Sequence, residues 1–288
     1  MAQSRPRLSE TDYDVYKQKK ITDNKVYRVL FASDFHGWFC DLKAARCVNK
    51  VLQHNKIDEV VLNGDTLDFP LISSHPKRLY TEGILKGYTE TEEINYTKEQ
   101  ILVPIRSSTK GIVKWRNGNH EDPRLVKPFL LAKGQLANLA ILYKNFETTK
   151  LEEMLKLDSM DIIYDPSPSC NYFNLFECVH GLSLAKNTSE KNIMSYMGSG
   201  TSGHTHRLSN TYITSKTGTH VWLQSGCLRL KEQVEYFPTG IIADWQHGFV
   251  VVTFYQESPG KYMFFGETVP IINHKCIYNG VIYDGNKN

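Results

Sequence analysis

No stretch of this 288-residue sequence approaches the ~20 consecutive apolar residues that a membrane-spanning helix needs; the longest, around Phe249 to Tyr255, is far shorter. A membrane partner is therefore not expected. The segment Met1 to Asn24 is rich in charge and lacks the apolar core of a signal peptide, which predicts a protein neither secreted nor anchored. CxxC pairs are also missing. The six cysteines (Cys40, Cys47, Cys170, Cys178, Cys227, Cys276) are scattered, a spacing that suits free, buried thiols in a reducing compartment and gives a cytoplasmic expectation. Neither charge sign dominates, since 34 Lys plus Arg face 31 Asp plus Glu for a net charge of +3. That excludes an extreme polyelectrolyte, and the surplus is too small to argue for nucleic acid unless a local basic patch carries it. With no Pro/Gly/Ser linker, internal repeat or low-complexity run, one globular domain is the expected organisation.

What is present is a repeated strand-loop-helix rhythm. After a polar leader (residues 1–25) with a small basic cluster (Lys17, Lys19, Lys20), Val26 to Ala32 reads as a buried strand running into Ser33-Asp34-Phe35-His36-Gly37. Apolar Leu42, Ala45, Val48 and Leu52 then recur at helical spacing over Asp41 to His54. A second strand, Glu59 to Leu62, enters Asn63-Gly64-Asp65-Thr66-Leu67-Asp68, and a third, Gly111 to Trp115, enters Asn117-Gly118-Asn119-His120-Glu121. Residues 69–110 interrupt the rhythm with a polar, Tyr- and Glu-bearing insertion, either a lid or a long crossover. Pro123 to Lys156 reads as largely helical. From Asp161 the texture turns to strands: Asp161 to Tyr164, Tyr172 to His180, Asn210 to Thr214, His220 to Leu223, Gly248 to Tyr255 and Tyr262 to Phe265, with one short helix near Ser189 to Met197. An alternating first half followed by a β-rich second half predicts a second sheet packed on the first, with helices outside. Residues 26–270 form the expected domain and 271–288 a C-terminal extension.

Chemistry gathers at the strand ends, where α/β sheets hold their ligands. Asp34-Phe35-His36, Asn119-His120, His180-Gly181 and Gly203-His204-Thr205-His206 carry five of the ten histidines. With Gly64-Asp65 they offer carboxylate, amide oxygen and imidazole, a donor set suited to Mn, Fe, Zn or Ni, and the absence of thiolate argues against a purely structural zinc site. An i, i+2 pair such as Asp34/His36 or His204/His206 can aim both side chains at one metal if the backbone turns between them. A D-x-H triplet arises by chance in about one chain in three of this length, whereas G-N-H-E falls well below one in a hundred, so the combination carries the weight. His54 suits a helix C-terminus; His220, His247 and His274 have no partner at ligand spacing, and His75 lies in the insertion.

These motifs, D-x-H, G-D-x-x-D, G-N-H-[DE], H and G-H-x-H in that order, resemble the calcineurin-like metallophosphoesterases over Val26 to about Tyr255. The resemblance implies a four-layer αββα sandwich of two mixed sheets with flanking helices. It implies two divalent cations, manganese first among the candidates, one on Asp34, His36 and His206, the other on Asn119, His180 and His204, with Asp65 bridging. A pair of cations about 4 Å apart can share a hydroxide that attacks phosphorus in line. The resemblance also makes His120 the general acid or transition-state donor facing the leaving group, and Asp68 the carboxylate that orients it. Asp68 as a plain helix cap is the competing reading. Arg124 could reach a substrate phosphate with its planar fork, or be a surface arginine.

Within that family the protein Ser/Thr phosphatase branch has an arginine directly after the residue equivalent to Asp68 and lacks paired histidines in the last motif. Here Phe69 follows Asp68 and His204-Thr205-His206 is intact, so the sequence looks more like the phosphodiesterase and nuclease side, with DNA, RNA or nucleotides as the phosphate-ester substrate. Trp38, Phe39, Trp115, Tyr80 and Tyr88 are candidates for base stacking, against core packing. A phosphomonoesterase and a metal-binding scaffold without catalysis are the alternative readings.

Overall fold

The computed structural model describes residues 26–73, 83, 85–121, 124–125, 136–181, 183–231 and 243–287. The leader with its lysine cluster, His75 and Tyr80 lie outside the described residues, as does 126–135 of the expected helical stretch. In chain order the strands are β1 (Val26–Ala32), β2 (Glu59–Asn63), β3 (Ile112–Arg116), β4 (Ile162–Asp165), β5 (Ser169–Tyr172), β6 (Phe176–Val179), β7 (Ser199–Ser202), β8 (Leu208–Ser215), β9 (Gly218–Ser225), β10 (Gly248–Ser258), β11 (Lys261–Pro270), β12 (Lys275–Tyr278) and β13 (Val281–Asp284). The helices are α1 (Leu42–His54), α2 (Glu90–Thr97), α3 (Val103–Ser108), α4 (Leu136–Phe146), α5 (Leu151–Leu155) and α6 (Thr188–Tyr196).

Two large mixed sheets result, ordered β11-β10-β1-β2-β3-β4 and β5-β6-β7-β9-β8. In the first, β1 to β4 are mutually parallel and β10 runs antiparallel to β1. Strand alternation builds two cores. Val29 and Phe31 of β1, with Val250, Val252 and Phe254 of β10, meet Tyr172, Phe176, Val221 and Leu223 of the second sheet. Their sequence neighbours Leu30, Ala32 and Val251 face the other way, toward Ala44, Val48 and Val51 of α1 and Ile94 of α2. Burial on both faces is why β1 and β2 read as continuous apolar runs. Helix α6 flanks the second sheet, packing against β7, β8 and β9. The arrangement is the expected sandwich of two mixed sheets with helices outside.

Two elements differ from the sequence reading, and the insertion takes one of its two readings. Tyr172 to His180, read as one strand, is a hairpin: Leu175 N–H donates to the Tyr172 carbonyl at 3.0 Å, and Phe173 and Asn174 both adopt left-handed φ, 56° and 57°, the signature of a type I′ turn. The insertion is a crossover where it is described. Ile94, Ile101, Leu102 and Ile105 are buried in the main core, so 90–108 joins β2 to β3 as packed helix rather than as a detachable cover. The C-terminal extension is folded into the domain. Cys276, Tyr278 and Tyr283 from the β12–β13 hairpin enter the α1 core, and Asn55 Nδ2 donates to the Tyr283 hydroxyl at 2.8 Å. All six cysteines are free, five buried and Cys170 half-buried. Among the described residues no helix is long and apolar enough to cross a membrane.

Candidate metal centre

The first sheet's parallel strands end in loops that carry Asp34, Asp65 and Asn119, and the second sheet's β6 and β7 end just before His180 and Gly203-His204. Face-to-face packing of the sheets brings these C-terminal ends together. Asp34, His36, Asp65, His204 and His206 all adopt left-handed backbone, with φ between 50° and 66°. For residues with a Cβ this is costly, by about 1 kcal/mol or more each, and such conformations concentrate at functional sites. Two motif glycines are required by close approach: a Cβ on Gly118 would run into the Asp65 carboxylate, and one on Gly203 into Ser33 Oγ.

Three groups of candidate ligands form, one of them His36, Asp68 and His120; the other two hold the expected ligands. Asp34, His36 and His206 converge, with His206 Nε2 3.2 Å from Asp34 Oδ1 and 3.0 Å from His36 Nε2. Asp65, His180 and His204 form the second; His180 Nε2 lies 3.2 Å from Asp65 Oδ2 and 3.1 Å from Asn119 Oδ1. The Asp34/His36 pair shares one group, as its spacing allows, and His204 and His206 fall in different groups, the division that the resemblance implies.

These residues fit divalent cations. His180 Nδ1 faces the Asn63 carbonyl at 2.8 Å and so must be its N–H donor, which leaves Nε2, facing two oxygens, as the nitrogen that takes up either a cation or a proton. His36 Nδ1 likewise donates to Asp68 Oδ1 at 2.9 Å, and burial together with Arg229 pushes its pKa down to about 3, so its Nε2 is a lone pair. Ring nitrogens and buried carboxylates converging this closely call for positive charge between them. The carboxylates themselves demand it: burial opposes ionisation of Asp34, yet His206 beside it holds the group at about 2. Burial opposes the charge on His180 too, but Asp65 overrides it and pushes the imidazole up to about 10. A proton thus stands in at His180 for the cation it would otherwise bind.

The model of the calcineurin-like phosphoesterase family matches residues 27–269 of this chain. The chain belongs to that family. Membership brings metal-dependent phosphoester hydrolysis and a dinuclear divalent-metal site. The chain is also similar to the Gene 54 protein of Mycobacterium phage D29, 26% identical over 270 residues, which span 89% of this chain and 98% of that protein. Among solved structures it is similar to Chaetomium thermophilum Vps29, at 9% identity with a TM-score of 0.40, covering 84% of this chain and 97% of that one. A hypothetical protein from Thermus thermophilus aligns at 12% identity and a TM-score of 0.38, over 84% and 99% of the two chains.

Beside the ligand groups of this phosphoesterase, His120 Nδ1 lies 2.7 Å from Asp68 Oδ1 and its backbone N–H donates to Asp65 Oδ1 at 2.9 Å. Asp68 is no helix cap. It is fully buried, and burial, which disfavours its charge, is overcome by Arg229, His120 and His36, which hold its pKa well below the carboxylate range. Arg124, read as either a substrate-phosphate contact or a surface arginine, has its guanidinium donating to the Asp68 carbonyl and lying 2.8 Å from His120 Nε2. That contact sets Arg124 against the ring nitrogen of His120 opposite the one held by Asp68.

Three residues with no role in the sequence reading complete the surroundings. Glu121, fully buried, accepts from the backbone N–H groups of Asp65, Thr66, Leu67 and Gly118 at 3.1, 2.6, 3.0 and 2.6 Å, tying the second and third loops together. Glu93 of α2 does the same for Asp68 and Phe69, at 2.7 and 2.9 Å. Arg229, fully buried, contacts Asp68 and His36 from the loop after β9. Glu121 had its place in the G-N-H-E motif as a signal; Glu93 and Arg229 had none. The described stacking candidates resolve as packing: Phe39 and Trp115 are fully buried and Tyr88 nearly so, and half-buried Trp38 rests on Tyr88 and Tyr96. His54 accepts its expected place, Nδ1 meeting the Lys50 carbonyl at 2.8 Å, while His247 and His274 bond the Arg229 carbonyl and Asp41.

Proposed function

We propose that this phosphoesterase is a phosphodiesterase acting on nucleic acid or nucleotides. Asp34, His36 and His206 would hold one cation and Asn119, His180 and His204 the other, with Asp65 between them. When bound, the cations supply charge neutralisation at the phosphoryl oxygens and a nucleophile at neutral pH. Asp65 suits the shared position because a carboxylate offers one oxygen to each side, and Asn119 adds an oxygen without adding charge. His120, held at Nδ1 by Asp68, is the residue to protonate the leaving oxygen from Nε2. An arriving phosphate gives Arg124 a charged acceptor in place of a ring nitrogen. The guanidinium then moves from His120 to substrate, leaving Nε2 free to carry the proton it delivers.

The observation that favours a diester is the residue after Asp68. Phe69 is fully buried with its N–H on Glu93, so that position presents no cation to the second negative charge of a monoester. Hydrolysis of bis-p-nitrophenyl phosphate with Mn, before and after chelation, tests the reading, followed by a panel of single- and double-stranded DNA, RNA and cyclic nucleotides. Faster turnover of p-nitrophenyl phosphate than of the diester, with no nucleic acid cleaved, would replace it with a phosphomonoesterase.

A further inference from the structure

Asp68 Oδ1 is an unusually shared atom. It lies 2.9 Å from His36 Nδ1 and 2.7 Å from His120 Nδ1, so one carboxylate oxygen sets the orientation of a candidate metal ligand and of the proposed acid together. The two rings sit edge to face with centroids 4.7 Å apart. Their Nε2 atoms project in different directions, His36 toward His206 at 3.0 Å and His120 toward Asp65 Oδ2 at 3.7 Å. The other carboxylate oxygen, Oδ2, accepts no hydrogen bond among the described residues. The carboxylate's rotation about its own bond is therefore governed by what approaches Oδ1.

The third group there is Arg229, whose NH1 stands 3.2 Å from both Asp68 Oδ1 and His36 Nδ1. Arg229 is itself rigidly mounted. Its guanidinium lies over the Phe39 ring at 4.9 Å, its backbone bridges to Cys40, the preceding Leu228 N–H donates to the Asp34 carbonyl at 3.0 Å, and His247 bonds its own carbonyl at 2.8 Å. A buried guanidinium is costly to desolvate and stays only where its charge is matched; Asp68 is that match.

We propose that Arg229 is a positioning residue: by fixing the Asp68 carboxylate it holds His36 in its ligand tautomer and His120 in its acid orientation at once, coupling metal affinity to turnover. The inference rests on the roles proposed above for His36 and His120. Removing such a partner of a metal-orienting group typically costs about 10- to 100-fold in metal affinity or activity.

The test is a double-mutant cycle between Arg229→Met and Asp68→Asn in the full-length protein, read by Mn titration calorimetry and, separately, by kcat and KM for bis-p-nitrophenyl phosphate. Arg229→Met is expected to weaken one of the two Mn sites by about tenfold and to lower kcat by a similar factor with KM little changed. In the Asp68→Asn background the same substitution should change Mn affinity less than twofold, because Arg229 acts through Asp68. Arg229→Lys, which keeps the charge without the planar fork, should recover part of the loss, and it carries the cycle if the Met variant does not fold. Additive effects on Mn affinity, or an unchanged Mn isotherm in a folded Arg229 variant, would overturn the proposal. A wild-type protein that binds two Mn ions but leaves the diester intact would count against the diesterase reading alone, since the calorimetric cycle is scored without substrate.

Discussion

Glu121 gives the sharpest stability test of how this site is built. Its two carboxylate oxygens each take two backbone N–H groups: Oε1 those of Thr66 and Leu67, Oε2 those of Asp65 and Gly118. Glu121→Gln keeps the shape but turns one oxygen into an NH2 group, which faces two N–H donors with donors of its own. Each buried backbone donor left without an acceptor costs about 1–3 kcal/mol, so the substitution should remove about 3 kcal/mol. That is a large share of the roughly 5–15 kcal/mol by which a domain of this kind is stable. Burial and the neighbouring Asp65 charge push the Glu121 pKa up to about 8, which opposes the pull of four donors toward the carboxylate. Loading with Mn neutralises Asp65 and should settle the competition in favour of the ionised form. Urea unfolding of the Mn-loaded protein is thus the assay, with the midpoint falling and the slope unchanged. A loss below about 1 kcal/mol would mean that Glu121 is carried as a neutral acid, already presenting a hydroxyl where glutamine presents an amide, and the four-acceptor account would be refuted.

His120→Ala should lower kcat on a phosphate diester by about 10²- to 10⁴-fold while both Mn ions remain bound, as checked by metal analysis of the purified variant. Stripping the cations with a chelator should lower the melting temperature, and restoring Mn at 100 times its Kd should return about 2.7 kcal/mol per site; Asp65→Asn should abolish most of that gain. Glu90 is buried at the start of α2, and desolvation raises its pKa from 4.5 to about 7. A raised carboxyl pKa favours the neutral form in the fold, so this contribution to stability is complete below about pH 4.5 and is lost as pH climbs through 7. Glu90→Gln should flatten that loss and leave the variant about 2 kcal/mol more stable at pH 8 by denaturant titration. Tyr283→Ala should cost about 3 kcal/mol through the cavity it opens beside α1, measured the same way; a negligible change would return 271–288 to the status of an appendage.

Much of the fold was legible because its signals are local. The apolar run of β1 and the i, i+3, i+4 stripe of α1, capped by Asp41 accepting from Lys43 and Ala44 N–H, state their conformations without help from the rest of the chain. Ser199–Ser202 does not. Its sequence, Ser-Gly-Thr-Ser, has little strand character, and it is a strand because β6 and β9 flank it and bury all four residues. The same limit separates the candidate ligands from their supports. Aspartates and histidines at the ends of strands announce themselves through short motifs, whereas Glu93 and Arg229 reach the site from a crossover helix and a distant loop. Aromatics near the motifs looked like stacking surfaces in sequence; Phe39 and Trp115 proved to be core, since proximity along the chain carries no information about which face a ring takes.

By itself the sequence determined which donors stand at the strand ends, in which order, and hence the family and its metal-dependent chemistry. The resemblance divided those donors between two cations; only the tertiary structure shows what turns them apart. His204 and His206, two residues apart, enter different ligand groups because the backbone is left-handed at both, with φ of 66° and 59°, and the chain turns between them. Asp68 became the centre of a relay rather than a helix cap because sheet order carries Arg229 to it from 161 residues away. The cause is physical: a ligand's identity is written in its own side chain, but its orientation is fixed by hydrogen bonds whose partners become neighbours only when both sheets are in place.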